Sequence, residues 1–214
     1  MTFSEYLSNS YENLIELSLE HLQLVAITML IATAVGVPLG ILAHRSSVLR
    51  PPIMSTTSFF LTIPSLALFA IFIPVFGLGS PPAIVALTLY ALLPIVGNTV
   101  AGLSSVSPAI VKASRGMGMG SWRRLGLVEL PLAWPVIVTG LRVSTQVTIG
   151  IAAIAVFVGG PGLGNEIFRG IRSLGNPGAE NLVYGGTLAI VVIALAFDGA
   201  FVLVRRFTTP RGIR

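Results

Sequence analysis

Ionisable side chains inside apolar sequence are where chemistry would show first, and in this 214-residue chain only Arg142 and Asp198 fall within long apolar runs. A charge held in a membrane is costly and usually faces protein, water or an opposite charge. The two fall at comparable depth, so they either pair, structurally or around a water-filled cavity, or snorkel separately to the interface. The remaining candidates for catalysis are few. His21 and His44 are the only histidines and stand at opposite ends of the first apolar run, so a shared metal site is not expected. His21 reads as an interfacial residue and His44, beside Arg45, as a basic flank; nothing around either suggests a Ser-His-acid triad. The lone lysine, Lys112, sits in Val-Lys-Ala rather than Gly-Lys-Ser/Thr, so no phosphate-cradling P-loop is present. Gly116-Met117-Gly118 is followed by Ser121 where a dinucleotide fingerprint needs its last glycine. Without cysteine there is no thiolate chemistry and no disulfide. The chain is expected to hold no metal and no cofactor of its own.

The elements that carry these residues follow from composition. Hydrophobic residues make up 54%, charged residues 10%, and mean hydropathy is +0.90, against about a quarter charged in soluble domains. That excludes a disordered chain, a nucleic-acid-binding arm and an ordinary soluble enzyme. The net +5 and pI of about 10.4 then read as basic flanks of membrane spans. Five runs reach the length of about 20 apolar residues that crosses a bilayer: 22–43, 57–76, 82–103, 132–158 and 182–204. They are continuous rather than alternating, so the fold class is an all-α membrane protein of about five transmembrane helices. Residues 1–214 read as a single transmembrane domain. Residues 1–20 are acidic and polar, unlike a signal peptide, so the first run is expected to remain as a span.

Arg45, Arg50, Lys112, Arg115, Arg123, Arg124, Arg205, Arg206, Arg211 and Arg214 fall on one side of these spans, against Arg169 and Arg172 on the other. The positive-inside rule places the former in the cytoplasm, the N-terminus outside and the C-terminus inside. Pro38, Pro64, Pro74, Pro94 and Pro135 interrupt the runs; proline kinks a helix, so bent spans lining a gated path compete with ordinary membrane proline. The 23 glycines allow close helix approach.

The longest inner connection, 104–131, starts a helix at Ser107-Pro108. Gly116, Gly118 and Gly120 break it, and Ser121 restarts a second helix over 122–127 that leads into Leu130-Pro131. A helix–turn–helix on the cytoplasmic face could be a lid, a dock for a soluble partner or a lipid-surface element. The outer loop 159–180 contains a short predicted helix, 165–172, suited to a gate, a contact with a partner or a connector.

The loop has the spacing Lys112-Ala113-Ser114, three residues, Gly118, nine residues, Val128-Glu129-Leu130-Pro131. This resembles the cytoplasmic signature of bacterial ABC importer permeases: Glu-Ala-Ala, three residues, Gly, nine residues, Ile-x-Leu-Pro. The departures are Lys112, Ser114 and Val128. Gly36-Val37-Pro38-Leu39-Gly40-Ile41, Thr62-Ile63-Pro64-Ser65-Leu66-Ala67, Leu92-Leu93-Pro94-Ile95 and Phe157-Val158-Gly159-Gly160-Pro161-Gly162-Leu163-Gly164 are similar to permeases for quaternary-amine osmoprotectants. The resemblance implies a type I importer permease with a coupling helix that seats in an ATPase subunit, the coupling residues being Lys112, Ala113, Ser114, Gly116, Gly118, Leu130 and Pro131. It implies ATP and Mg²⁺ on that ATPase, a second permease chain, identical or related, and an extracytoplasmic binding protein in a bacterial cell membrane. The solute would be glycine betaine, choline or carnitine; the alternative is a methionine-type amino-acid importer. A quaternary ammonium is held by aromatic faces, which makes Phe72, Phe76 and Tyr90, near Pro64, pathway candidates, unless they are interfacial aromatics. A channel or secondary carrier, working without an ATPase, and an intramembrane enzyme, for which Arg142 and Asp198 are too few polar groups, are the rival classes.

Overall fold

Residues 2–208 are described by a computed structural model, and every regular element among them is helical. Arg211 and Arg214, counted above with the inner bases, lie outside the described residues. Helix α1 (Phe3–Arg45) starts in the polar N-terminal segment because Thr2 and Glu5 close a capping box. The Thr2 hydroxyl accepts from the Glu5 N–H, and the Glu5 carboxylate from the Thr2 N–H. At 43 residues α1 is roughly 65 Å long, twice the thickness of a hydrocarbon core. The expected span 22–43 is its second half.

The second expected span, 57–76, is corrected to two helices, α2 (Arg50–Thr62) and α3 (Ser65–Phe76), bent by 101°. Pro64 has no N–H with which to continue α2, and it holds Ile63 extended, at φ −74° and ψ 131°. Tyr90 fixes the corner by donating its hydroxyl to the Ile63 carbonyl at 2.5 Å. Helix α4 (Ser80–Ser104) and α9 (Ala179–Thr208) match the third and fifth expected spans within a few residues. The fourth is α7 (Leu130–Ala152) continued by a 3-10 turn over Ala153–Val158.

Pro38, Pro74, Pro94 and Pro135 lie inside unbroken helices. The expectation of several broken spans is therefore corrected to one sharp break, at Pro64. Neighbouring polar groups share the backbone near two of the tolerated prolines. Asn98 donates to the Pro94 carbonyl at 2.8 Å, Thr139 to that of Pro135 at 3.0 Å, and Ser144, from α7, to that of Ala91 on α4 at 2.7 Å.

Helix α4 is central, between α1 and α7. Glycine makes both seams possible: a Cβ at Gly40 would stand 2.5 Å from Thr99 Cβ, and one at Gly140 2.7 Å from the Pro94 oxygen. Such backbone-to-backbone approach is how helices associate where the surrounding solvent is itself apolar. Helix α9 packs on α7, α1 and the short α8 (Gly164–Arg172) and stays mostly uncovered. The C-terminal ends of α1 and α4 and helix α5 (Pro108–Gly116) share one end of the molecule. The start of α1, α8 and the start of α9 share the other.

Candidate functional site

Ser107 caps α5, its hydroxyl accepting from the Ala109 N–H at 3.3 Å, with Pro108 in the first turn. The inner side of α5 buries Ser114 and rests Val111 on Leu103, Val106, Leu125, Ala133 and Ile137. Lys112, Ala113, Arg115, Gly116 and Met117 face outward. Of the three loop glycines only Gly118, at φ 77°, needs left-handed backbone; Gly116 ends α5 and Gly120, at φ −63°, caps the next element. That narrows the expected three-glycine break to one residue.

The separate second helix expected over 122–127 is corrected as well. Helix α6 (Ser121–Arg124) runs through a π turn, Leu125–Glu129, straight into α7, so one helical rod extends from Ser121 to Val158. Leu130 and Pro131 directly follow the π turn, in which the Leu130 N–H donates to the Leu125 carbonyl. The π turn brings together side chains five residues apart: Arg124 Nε donates to Glu129 Oε1 at 2.5 Å, both nearly buried. Sequence reasoning missed this pair because such residues diverge on an α-helix. The available signal was one acid among the loop's bases. Around it, Arg45 donates to the Ser121 carbonyl at 2.9 Å and lies 4.8 Å from the Trp122 ring centroid, while His44 Nδ1 is 3.2 Å from Ser104 Oγ. The ends of α1, α4 and α6 are thereby tied to each other beneath α5.

Arg142 on α7 and Asp198 on α9 form a two-pronged ion pair. Nε donates to Oδ1 and Nη2 to Oδ2, each at 2.6 Å, the geometry that makes guanidinium–carboxylate pairs strong. Gln146 adds a 2.6 Å bond to Oδ1. The side chains remain 38% and 27% exposed.

At the opposite end, Glu166 on α8 is 1% exposed. It accepts from Tyr6 at 2.7 Å and Asn13 at 3.2 Å, both on α1, and pairs with Arg169. The expected outer helix 165–172 is thus pinned to the long polar extension of α1. The turn before it presses Gly162, at φ 108°, against His21, and the Gly162 N–H reaches the Glu20 carboxylate at 3.0 Å. His21 Nε2 is 3.1 Å from the Ile149 carbonyl, and the residue is fully buried; it is a core residue enclosed by the loop rather than an interfacial one. Phe72 and Phe76 stand 6.1 Å apart on α3. Tyr90 is 3% exposed, so its ring is covered by the chain itself.

Long apolar helices in a bundle, with one expected span bent at proline and a short helix docked on the end of the bundle, define an all-α integral membrane fold. Residues 36–209 match the family described as binding-protein-dependent transport system inner membrane component, and the chain belongs to that family. It is 40% identical to the osmoprotectant import permease protein OsmW of Salmonella typhimurium, over 98% of each chain. It is 37% identical to the glycine betaine/carnitine/choline transport system permease protein OpuCB of Bacillus subtilis, over 91% of this chain and 88% of that one. The same identity relates it to the choline transport system permease protein OpuBB of Bacillus subtilis, over 98% and 95%. Among solved structures, the MetNI methionine ABC transporter in an inward-facing form has a chain that superposes with a TM-score of 0.80 at 22% identity, covering 89% of this chain and 94% of that one. That likeness is one of fold.

Proposed function

We propose that this chain is a membrane-spanning subunit of an ATP-driven importer that brings quaternary-amine compatible solutes, of the glycine betaine, choline and carnitine kind, into the cell. The observation that carries the reading is near full-length similarity, at 37–40% identity, to relatives named for osmoprotectant, glycine betaine/carnitine/choline and choline transport. The methionine-type alternative has fold-level likeness alone behind it. The chain contributes the gated passage; ATP and Mg²⁺ belong to a separate ATPase. Helix α5 is the docking element, offering Lys112, Ala113, Gly116 and Met117 to the ATPase while Ser114 and Val111 hold it to the bundle. Because α6 is continuous with α7, displacement of the loop moves the fourth span as a lever, and the corner at Pro64 is where the passage gives. A second permease chain, a copy or a paralogue, completes the passage, and a binding protein delivers solute to the α8 end.

Orientation follows from the described bases. Arg45, Arg50, Lys112, Arg115, Arg123, Arg124, Arg205 and Arg206 gather at the α5 end, against Arg169 and Arg172 at the other. That supports a cytoplasmic α5 in a bacterial inner membrane, with the N-terminus outside. The test is uptake of radiolabelled glycine betaine, choline, carnitine and methionine in cells carrying this chain with and without an ABC ATPase subunit. ATPase-dependent uptake of the first three is expected. Methionine uptake alone, or uptake without the ATPase, overturns the reading.

A further inference from the structure

We infer that the face of α7 and α9 bearing Thr139, Arg142, Gln146 and Asp198 lines the water-filled passage of the transporter, with Arg142, Gln146 and Asp198 as a fixed polar station past which the solute moves. The inference rests on the import reading and adds to it the side of the chain that faces the path.

Depth comes first. Arg142 lies ~15 Å along α7 from Leu132 and Asp198 ~9 Å along α9 from Val204, the inner ends of their spans, so both sit in the inner half of a hydrocarbon core about 30 Å thick. About a third of both side chains is uncovered by the chain itself, and Gln146 beside them is exposed. The ion pair uses Arg142 Nε and Nη2, while the Gln146 amide spends an N–H on Asp198. Among the described residues no protein donor meets the Gln146 carbonyl oxygen and no acceptor meets Arg142 Nη1. Lipid tails can satisfy neither group. Charges within the membrane that are not enclosed by their own chain face a bundle interior or water.

The helical period then defines the face. On α7 the uncovered positions Thr139, Val143, Gln146 and Gly150 form one stripe with Arg142, while Ile137, Gly140, Ser144 and Thr148 on the other side are buried. Gly140 and Ser144 meet α4. A Cβ at Gly150 or Gly199 would meet nothing within 4 Å, so among the described residues nothing packs over the backbone at these two positions. Its chemistry suits the solute class. A paired guanidinium and carboxylate show both signs of charge with no net charge, so neither a permanent cation nor the carboxylate of a zwitterion is trapped by an unpaired opposite.

The chain has no cysteine, so single thiols can be placed without altering the background. Thr139→Cys, Gln146→Cys and, as a lipid-facing reference, Leu30→Cys are made in the complete importer. A charged, membrane-impermeant thiosulfonate is then applied from both sides of membrane vesicles. A thiol reacts as the thiolate, which is suppressed where charge cannot enter. Thr139→Cys and Gln146→Cys should therefore react about 100-fold faster than Leu30→Cys, and saturating transported solute should slow the reaction at Gln146→Cys. Among the described residues Thr139 bonds only within its own helix, so its variant keeps the test readable if Gln146→Cys weakens the cluster. Reaction as slow as at Leu30→Cys overturns the inference. So does rapid oxidative cross-linking of Gln146→Cys to a neighbouring permease chain without reagent access, which would make the face a sealed seam. Uptake by the unmodified importer is read in parallel, so failure of the import reading shows separately.

Discussion

At the scale of single residues, opposite charges decide most of what is specific here. Arg124 and Glu129 are buried against each other under α5, and removing one partner of such a pair leaves an uncompensated charge, at a cost of about 3–5 kcal/mol. Glu129→Ala should therefore lower the thermal stability of the purified chain well beyond the effect of an exposed change such as Glu12→Ala. Replacing both with apolar residues, Arg124→Met with Glu129→Leu, should recover most of the loss. A thermal unfolding series in detergent checks both, and equal losses in the single and double variants would mean the pair does not act as a unit. Arg142 and Asp198 were legible as a possible pair because they are the two charges within the apolar runs. Arg124 and Glu129 were not, because their spacing meets only on a π turn, and a π turn leaves no compositional mark. Glu166 was visible as an outer acid, but its burial depends on Tyr6 and Asn13, more than 150 positions away.

At the scale of elements, the loop is a short helix hinged on one residue. Gly118 is held at positive φ with open space around its Cβ position, so a substitution there is opposed by backbone strain of about 1–2 kcal/mol rather than by neighbours. Gly120 stands at φ −63°, which any residue adopts, also in open space. Gly118→Val should thus insert normally but reduce solute uptake per ATP hydrolysed severalfold, whereas Gly120→Ala should leave coupling intact. Parallel assays of hydrolysis and uptake separate the two, and unaltered coupling in Gly118→Val would remove the hinge from the mechanism. The sequence marked the loop's start and its glycines. It did not show that α6 is the head of α7, because a glycine cluster followed by Ser121 reads locally as a fresh start, and continuity through Leu125–Glu129 comes from packing on Leu103, Val106 and Val111. Prolines misled for a related reason: packing against a neighbouring helix, as where Ser144 on α7 bonds the Ala91 carbonyl of α4, accompanies a helix that stays continuous through its proline.

At the scale of the whole molecule, α1 joins the two ends. Its polar start is bonded to α8 through Tyr6 and Asn13, and its basic finish to α6 through Arg45. The charge asymmetry predicts which end meets the cytoplasm. In intact cells a membrane-impermeant thiol reagent should label Asn176→Cys readily. Lys112→Cys should be labelled only after permeabilisation, and the reverse pattern would invert the topology. Unlike the loop and the passage, this prediction involves no moving part.

Apolar run length, the placement of bases and the spacing of the cytoplasmic loop were set by local composition, so fold class and family resemblance could be read from residues alone. Contacts between residues far apart in the chain decided the rest. These are the bend at Ile63–Pro64 that Tyr90 holds, the glycine seams that place α4 at the centre, the enclosure of His21, and the face on which Arg142 and Asp198 meet. A one-dimensional pattern states what each segment would bury, but the partner that buries it is chosen only when the helices pack.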